Sequence, residues 1–287
     1  MSLNAIHVNW TKPFFSKNGE IDYRVDDFEL LSTILSALLW RKLNGDIKLY
    51  TDNVGLEFYS SLGILDVWNL GVDADTLENI PASVSPDIFW AAGKIFAVRN
   101  ENTPFVVMDT DLMVWLSLPD LSTCHLMAFH RESLATDCYI PYESLRKRSD
   151  YHADSMWNWS VEPCNTALTY FNHRDFKEYY TRSAIDFMDG NFERPLELVS
   201  QMVFAEQRIF SMCADRLGVA VHTFLDKVYD GDCDDFTHLW GTKSLARKDA
   251  AFNRQLCGSL LKLNKNDEVR VSVVHSGVGA VNESDVM

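Results

Sequence analysis

The sequence predicts an α/β protein: a mostly parallel central sheet flanked by helices. Three observations carry that expectation. Over residues 5–108, short apolar runs alternate with helix-period segments in the order strand, helix, strand, helix, strand, helix, strand. Phe105 to Met108 is a continuous apolar run, the mark of a strand buried on both faces. The composition, 47% hydrophobic and 23% charged over 287 residues, is globular and excludes wholesale disorder.

The elements follow in order. Ala5 to Val8 is the first strand, with a polar, turn-rich segment from Thr11 to Asp22 behind it. Asp26-x-x-Glu29 is a capping-box pattern ahead of apolar residues at 30, 31, 34, 35 and 38; Arg41 and Lys42 suit a helix C-terminus, and Gly45 ends it. Ile47 to Tyr50 is the second strand, closing at Thr51-Asp52-Asn53, with a short helix over Gly55 to Leu62 and a third strand over Asp66 to Leu70. Ile88, Ala91, Ala92, Ile95 and Phe96 lie at helical spacing behind Pro86, and the strand Phe105 to Met108 follows. Further on, His125 to His130, Ala167 to Phe171 and Val219 to Phe224 read as strands, and His173 to Met188 and Leu196 to Leu217 as helices. Residues 132–164 read as long loops, and the polar stretch from Lys265 as a poorly ordered tail. The expected organisation is one domain over 1–264, with a Rossmann-like nucleotide-binding half to about residue 120 and an acceptor half over 121–264.

Charge narrows the function. Lys and Arg number 26 against 41 Asp and Glu, a net charge of −15, which argues against a nucleic-acid or anionic-membrane binder. The start carries no basic-then-apolar leader, and Leu30 to Trp40, the longest strongly apolar stretch, is too short to span a bilayer. A cytoplasmic protein without a transmembrane segment is expected, and nothing supports peripheral membrane association. The six cysteines form no C-x-x-C pair and read as free thiols.

The sharpest chemical signal is Asp109-Thr110-Asp111 at the end of the apolar strand. Side chains two apart on an extended segment share a face, so two hard oxygen donors can hold Mg²⁺ or Mn²⁺ with sites left for a diphosphate. The carboxyl end of a strand is where ligands sit on an open α/β sheet. The bland alternative is a strand-end turn. A second signal is His238-Leu239-Trp240-Gly241-Thr242-Lys243: an imidazole suited to Mn²⁺-like ions, a glycine open to close approach, and a point charge suited to phosphate.

Together, D-x-D and a late H-x-x-G-x-K resemble the nucleotide-sugar glycosyltransferases of the GT-A fold, nearest the retaining family-8 type of glycogenin and lipopolysaccharide galactosyltransferases. The resemblance implies Asp109, Asp111 and His238 as metal ligands, with Gly241 and Lys243 at the diphosphate. Asn165, in Asn165 to Asn172, is similar to the family's Asn that faces the donor sugar. Glu206-Gln207 is similar to its Asp-Gln pair at the sugar. Lys94 stands where such enzymes place a basic donor-binding residue. Asp52, at the end of the second strand, is a candidate for the uracil or ribose, with a turn Asp as the alternative.

The implied function is a Mn²⁺- or Mg²⁺-dependent transferase of polysaccharide biosynthesis. It would move a sugar from a UDP-sugar to a saccharide or glycan acceptor, with retention. The rival from another class is a catalytically retired domain that keeps the fold and binds nucleotide or carbohydrate. An aspartate-nucleophile phosphatase would carry D-x-D on the first strand. A nucleotidyltransferase would need a Gly-rich phosphate loop near the start, and there is none. Tyr139, Tyr142, Tyr151, Trp157 and Trp159 offer aromatic faces for an acceptor or a cover for the core edge. Arg146-Lys147-Arg148 reads as a solvated charge run.

Overall fold

The computed structural model describes residues 2–231 and 233–265. The first half contains β1 (Ala5–Asn9), α1 (Lys12–Asn18), α2 (Asp27–Leu43), β2 (Ile47–Thr51), α3 (Asn53–Ser61), β3 (Val72–Asp73), α4 (Asp75–Glu78), α5 (Ala92–Asn100), β4 (Phe105–Met108) and β5 (Leu112–Val114). The second contains β6 (Leu126–Ala128), β7 (His130–Arg131), β8 (Cys164–Asn165), β9 (Leu168–Phe171), α6 (Arg174–Met188), α7 (Leu198–Val203), α8 (Ile209–Leu217), β10 (Val221–Thr223), β11 (Phe236–His238), α9 (Lys243–Lys248) and α10 (Ala250–Lys265). A seven-stranded sheet runs β10-β6-β9-β4-β1-β2-β3. It is parallel except for β9, which runs antiparallel to both β4 and β6. The mixed α/β architecture with a mostly parallel sheet between helices is therefore the one the alternation predicts.

The pleat explains the continuous apolar run of β4. Phe105 and Val107 face one core layer, with α5, α6 and α8, while Val106 and Met108 face the other, with Trp40 of α2 and Tyr59 of α3. Both faces are covered, so no polar residue alternates with apolar ones along the strand. A third apolar layer lies behind α2, where Phe28 and Leu35 meet Met113 of β5 and Leu256, Leu260 and Leu263 of α10. At the end of α2 the chain turns back on Gly45, where an added Cβ would come within 2.5 Å of the Leu3 carbonyl oxygen.

Several expectations are corrected. The polar segment after Thr11 contains helix α1, begun by Pro13 in its first turn. Asp26 precedes α2 without a side-chain capping bond; its carboxylate pairs instead with Arg247 of α9 at 3.0 Å. The third strand is not at 66–70: Leu65–Val67 is a 3₁₀ turn, and Trp68 is buried against Tyr59, so the strand starts after Gly71 at Val72. The helix expected from Ile88 starts at Ala92. The helix over 196–217 is broken by a π-helical turn, Phe204–Arg208, between α7 and α8. Strands β5, β7, β8 and β11 were not expected. Beyond Lys265, the tail lies outside the described residues.

Candidate functional site

The site forms at the carboxyl end of β4. After Met108 the chain passes through Asp109 and Asp111 and enters β5, where Leu112 N–H donates to Asp109 O at 3.1 Å. Strand β11 pairs antiparallel with β5 in a register that sets His238 opposite Leu112. A two-strand ladder thus delivers a histidine from far along the chain to the D-x-D turn. Asp109, Asp111 and His238 each offer one ligand atom, and these atoms lie within 4.8 Å of one another. His238 Nε2 is 3.7 Å from Asp109 Oδ2 and 3.6 Å from Asp111 Oδ1. This buried nitrogen has no hydrogen-bond partner among the described residues.

An unpartnered buried imidazole nitrogen facing two carboxylate oxygens is a donor set that fits a divalent cation. The remaining carboxylate oxygens meet lysines. Lys243, which opens α9, is 2.9 Å from Asp111 Oδ2. Lys94, on α5, is 2.6 Å from Asp109 Oδ1. Burial opposes ionisation of Asp111, but the Lys243 ammonium and then His238 outweigh it and hold the carboxyl well below its ordinary range. At Asp109 burial prevails over Lys94 and His238, and the carboxyl is pushed up. Burial also opposes the charge on Lys94, yet Asp109 and Glu206 raise it above the usual lysine range.

The antiparallel β9 extends the site. Asp109 N–H donates to Ala167 O at 2.8 Å, which draws the β8–β9 junction alongside the D-x-D turn. Asn165 lies there, its side-chain oxygen accepting from Ala167 N–H at 3.0 Å and its amide donating to Glu132 at 3.3 Å. The π-helical turn carries the pair at 206–207, and such turns recur at functional sites. Glu206 accepts from Lys94 at 2.5 Å and from the Thr166 hydroxyl at 2.7 Å, and Tyr180 donates to its carbonyl at 2.9 Å. Gln207 accepts from the Tyr139 hydroxyl at 2.5 Å.

The predicted residues thus divide. Asp109, Asp111, His238, Lys243, Lys94 and Glu206 form one connected ion cluster. Asn165 and Gln207 belong to its neighbouring chain segments. Gly241 lies on a 3₁₀ turn between His238 and Lys243, and an added Cβ there would meet nothing within 4 Å. Asp52 is 1% exposed and caps α3 through Gly55 N–H, while Thr11 donates to it from backbone and side chain. Its geometry is that of the turn Asp. Of the aromatic group, Tyr151 and Trp157 are buried in the core, and Trp159, 38% exposed, stacks on Phe204. Thr166, Glu132 and the Tyr139–Gln207 bond were not anticipated. Thr166 follows a singled-out Asn, and that adjacency was the available signal.

The chain belongs to the family of unknown function DUF6734, whose profile matches residues 4–246. It is also 33% identical over 86 residues to translation initiation factor IF-2 of Symbiobacterium thermophilum, a match to 29% of this chain that spans 8% of that protein's length. Solved structures similar to it include glycosyltransferases and a pyrophosphorylase. The glycosyltransferase GlyE of Streptococcus pneumoniae TIGR4 is 14% identical with a TM-score of 0.38, over 71% of this chain and 42% of that one. Mouse xyloside xylosyltransferase 1 is 10% identical with a TM-score of 0.38, over 78% of this chain and 85% of that one. A nucleoside-diphosphate-sugar pyrophosphorylase of Vibrio cholerae RC9 is 13% identical with a TM-score of 0.39, over 77% and 91%. Among the described residues no helix is long and apolar enough to cross a membrane.

Proposed function

We propose that the protein is a metal-dependent glycosyltransferase of GT-A type that transfers a sugar from a nucleotide diphosphate sugar, a UDP-sugar, to a saccharide or glycan acceptor in the cytoplasm. The observation that carries the reading is the meeting of Asp109, Asp111 and the unpartnered His238 Nε2 at the carboxyl end of β4, with the Lys243 amine beside them. Two carboxylate oxygens and one imidazole nitrogen suit Mn²⁺, with Mg²⁺ as the alternative. Asn9 Nδ2 and Trp10 Nε1, at the end of the central strand β1, are buried donors without partners among the described residues, which suits a base or ribose nearby. No glycine occurs between Asn9 and Asn18, the stretch where a nucleotidyltransferase would carry its phosphate loop.

When bound, the cation would supply Lewis-acid stabilisation of the departing diphosphate. The chain's own residues supply the rest. Lys243 places a positive charge where the leaving diphosphate gains negative charge. Asn165 and Gln207 hold the sugar hydroxyls and flank the anomeric carbon, with Glu206 behind Gln207. The segment to about residue 120 holds the nucleotide, and the later segment holds the acceptor. The family-8 resemblance implies retention, with the leaving phosphate taking the acceptor proton on the same face.

The test is calorimetric titration of UDP with Mn²⁺ and again with EDTA. Metal-dependent binding is expected, followed by UDP release from a UDP-sugar when an acceptor is added. Binding without release across a panel of UDP-sugars and acceptors would favour the retired domain. No binding in either buffer would refute the nucleotide assignment, with GDP and CMP as controls.

A further inference from the structure

The Lys94 amine is fully engaged by acceptors of the protein itself. It is 2.6 Å from Asp109 Oδ1, 2.5 Å from Glu206 Oε1 and 3.4 Å from the Thr166 carbonyl oxygen. An ammonium has three protons, and these three acceptors take them all. The side chain is 13% exposed and that of Glu206 is 9% exposed, so water does little to screen the pair. Glu206 is held in turn by the Thr166 hydroxyl and, through its carbonyl, by Tyr180. Four segments therefore converge on one amine: α5, the end of β4, the β8–β9 junction and the π-helical turn.

We infer that Glu206 is a positioning residue that acts through Lys94 on the metal ligand Asp109, and that Lys94 is a built-in rival of the metal for that carboxylate. The inference rests on the metal-site reading above and concerns what sets the affinity of that site. Asp109 divides its oxygens: Oδ1 meets the amine, and Oδ2 faces His238. An amine held by Asp109 alone would give that carboxylate its whole charge and withdraw it from a cation. Glu206 shares the amine and leaves Asp109 part of its negative charge. Lys94 is one bond removed from a ligand, where partners tune metal affinity by about 10–100-fold, and Glu206 bonds to Lys94 in turn.

The test is Mn²⁺ affinity, read from the electron paramagnetic resonance signal of free Mn²⁺, on the full chain without nucleotide. Thermal melts check the fold of each variant. Glu206→Gln is expected to weaken Mn²⁺ binding about tenfold. Lys94→Met is expected to tighten it, and Lys94→Gln replaces that variant if it does not fold. In the Lys94→Met background, Glu206→Gln is expected to change affinity by less than about threefold, because the residue through which it acts is gone. Equal losses from Glu206→Gln in both backgrounds would overturn the positioning role. Weaker binding in both neutral Lys94 variants would overturn the rivalry. A wild-type chain that binds no Mn²⁺ at millimolar concentration would instead refute the metal site itself, and this inference with it.

Discussion

Asp111 puts its two oxygens to different uses, one against Lys243 and one toward His238, and its depressed pKa keeps it charged for both. Asp111→Asn removes that charge at nearly constant volume. The expected result is a loss of at least about tenfold in Mn²⁺-dependent UDP affinity with an unchanged circular dichroism spectrum. Unchanged affinity would refute the ligand assignment. Lys243→Ala removes the charge beside the leaving diphosphate, and turnover is expected to fall by about tenfold or more. Full turnover would show that the late motif has no such role. At this scale the D-x-D pair was legible because a strand end puts residues two apart on one face. The Lys94–Glu206 bond was not, because it joins positions 112 residues apart in sequence.

Strand β1, helix α2 and strand β5 are joined by one buried polar chain. Trp68 Nε1–H donates to His7 Nδ1 at 3.3 Å, so the proton of the neutral ring is on Nε2. That nitrogen donates to Ser36 Oγ at 3.2 Å, and the Ser36 hydroxyl donates to Leu112 O at 2.5 Å. Leu112 is the residue that pairs with His238, so this chain braces the ladder behind the site. Burial pushes the His7 pKa down to about 3 against the opposing pull of Asp111. The folded protein keeps this ring neutral, whereas the unfolded chain protonates it below about pH 6.5. The stabilising contribution is therefore complete above that pH and is lost progressively as pH falls toward 3. Between pH 7 and pH 5 it amounts to about 2 kcal/mol. Urea unfolding of the wild type and His7→Gln at both pH values checks this: the gap between them should narrow by that amount at pH 5, and a constant gap would refute it.

On the scale of the whole molecule, α10 follows the segment that the family profile matches, yet it packs on α2 with Leu256, Leu260 and Leu263 buried. Leu260 is 3% exposed, and Leu260→Ala is expected to reduce unfolding stability by about 2–4 kcal/mol in a single transition. An unchanged denaturation midpoint would show that α10 lies outside the cooperative unit.

The sequence alone determined the α/β class, the strands β1, β2 and β4, the helices α2, α3 and α6, and the acidic strand end. Each is encoded by neighbours within a few residues: apolar runs, helical spacing, a glycine stop. Only the tertiary structure decided that β9 runs antiparallel and that β5 pairs with β11. It also decided that Thr11 donates to Asp52 from across the sheet end and that Lys94 is saturated by three acceptors. Of the two- and three-residue strands, β6 and β10 fall within longer runs that read as strands, whereas β3, β5, β7, β8 and β11 carry too short a pattern to be read. Their pairing is chosen by the sheet and core around them, and hydrogen bonds between distant residues have no signature in local spacing.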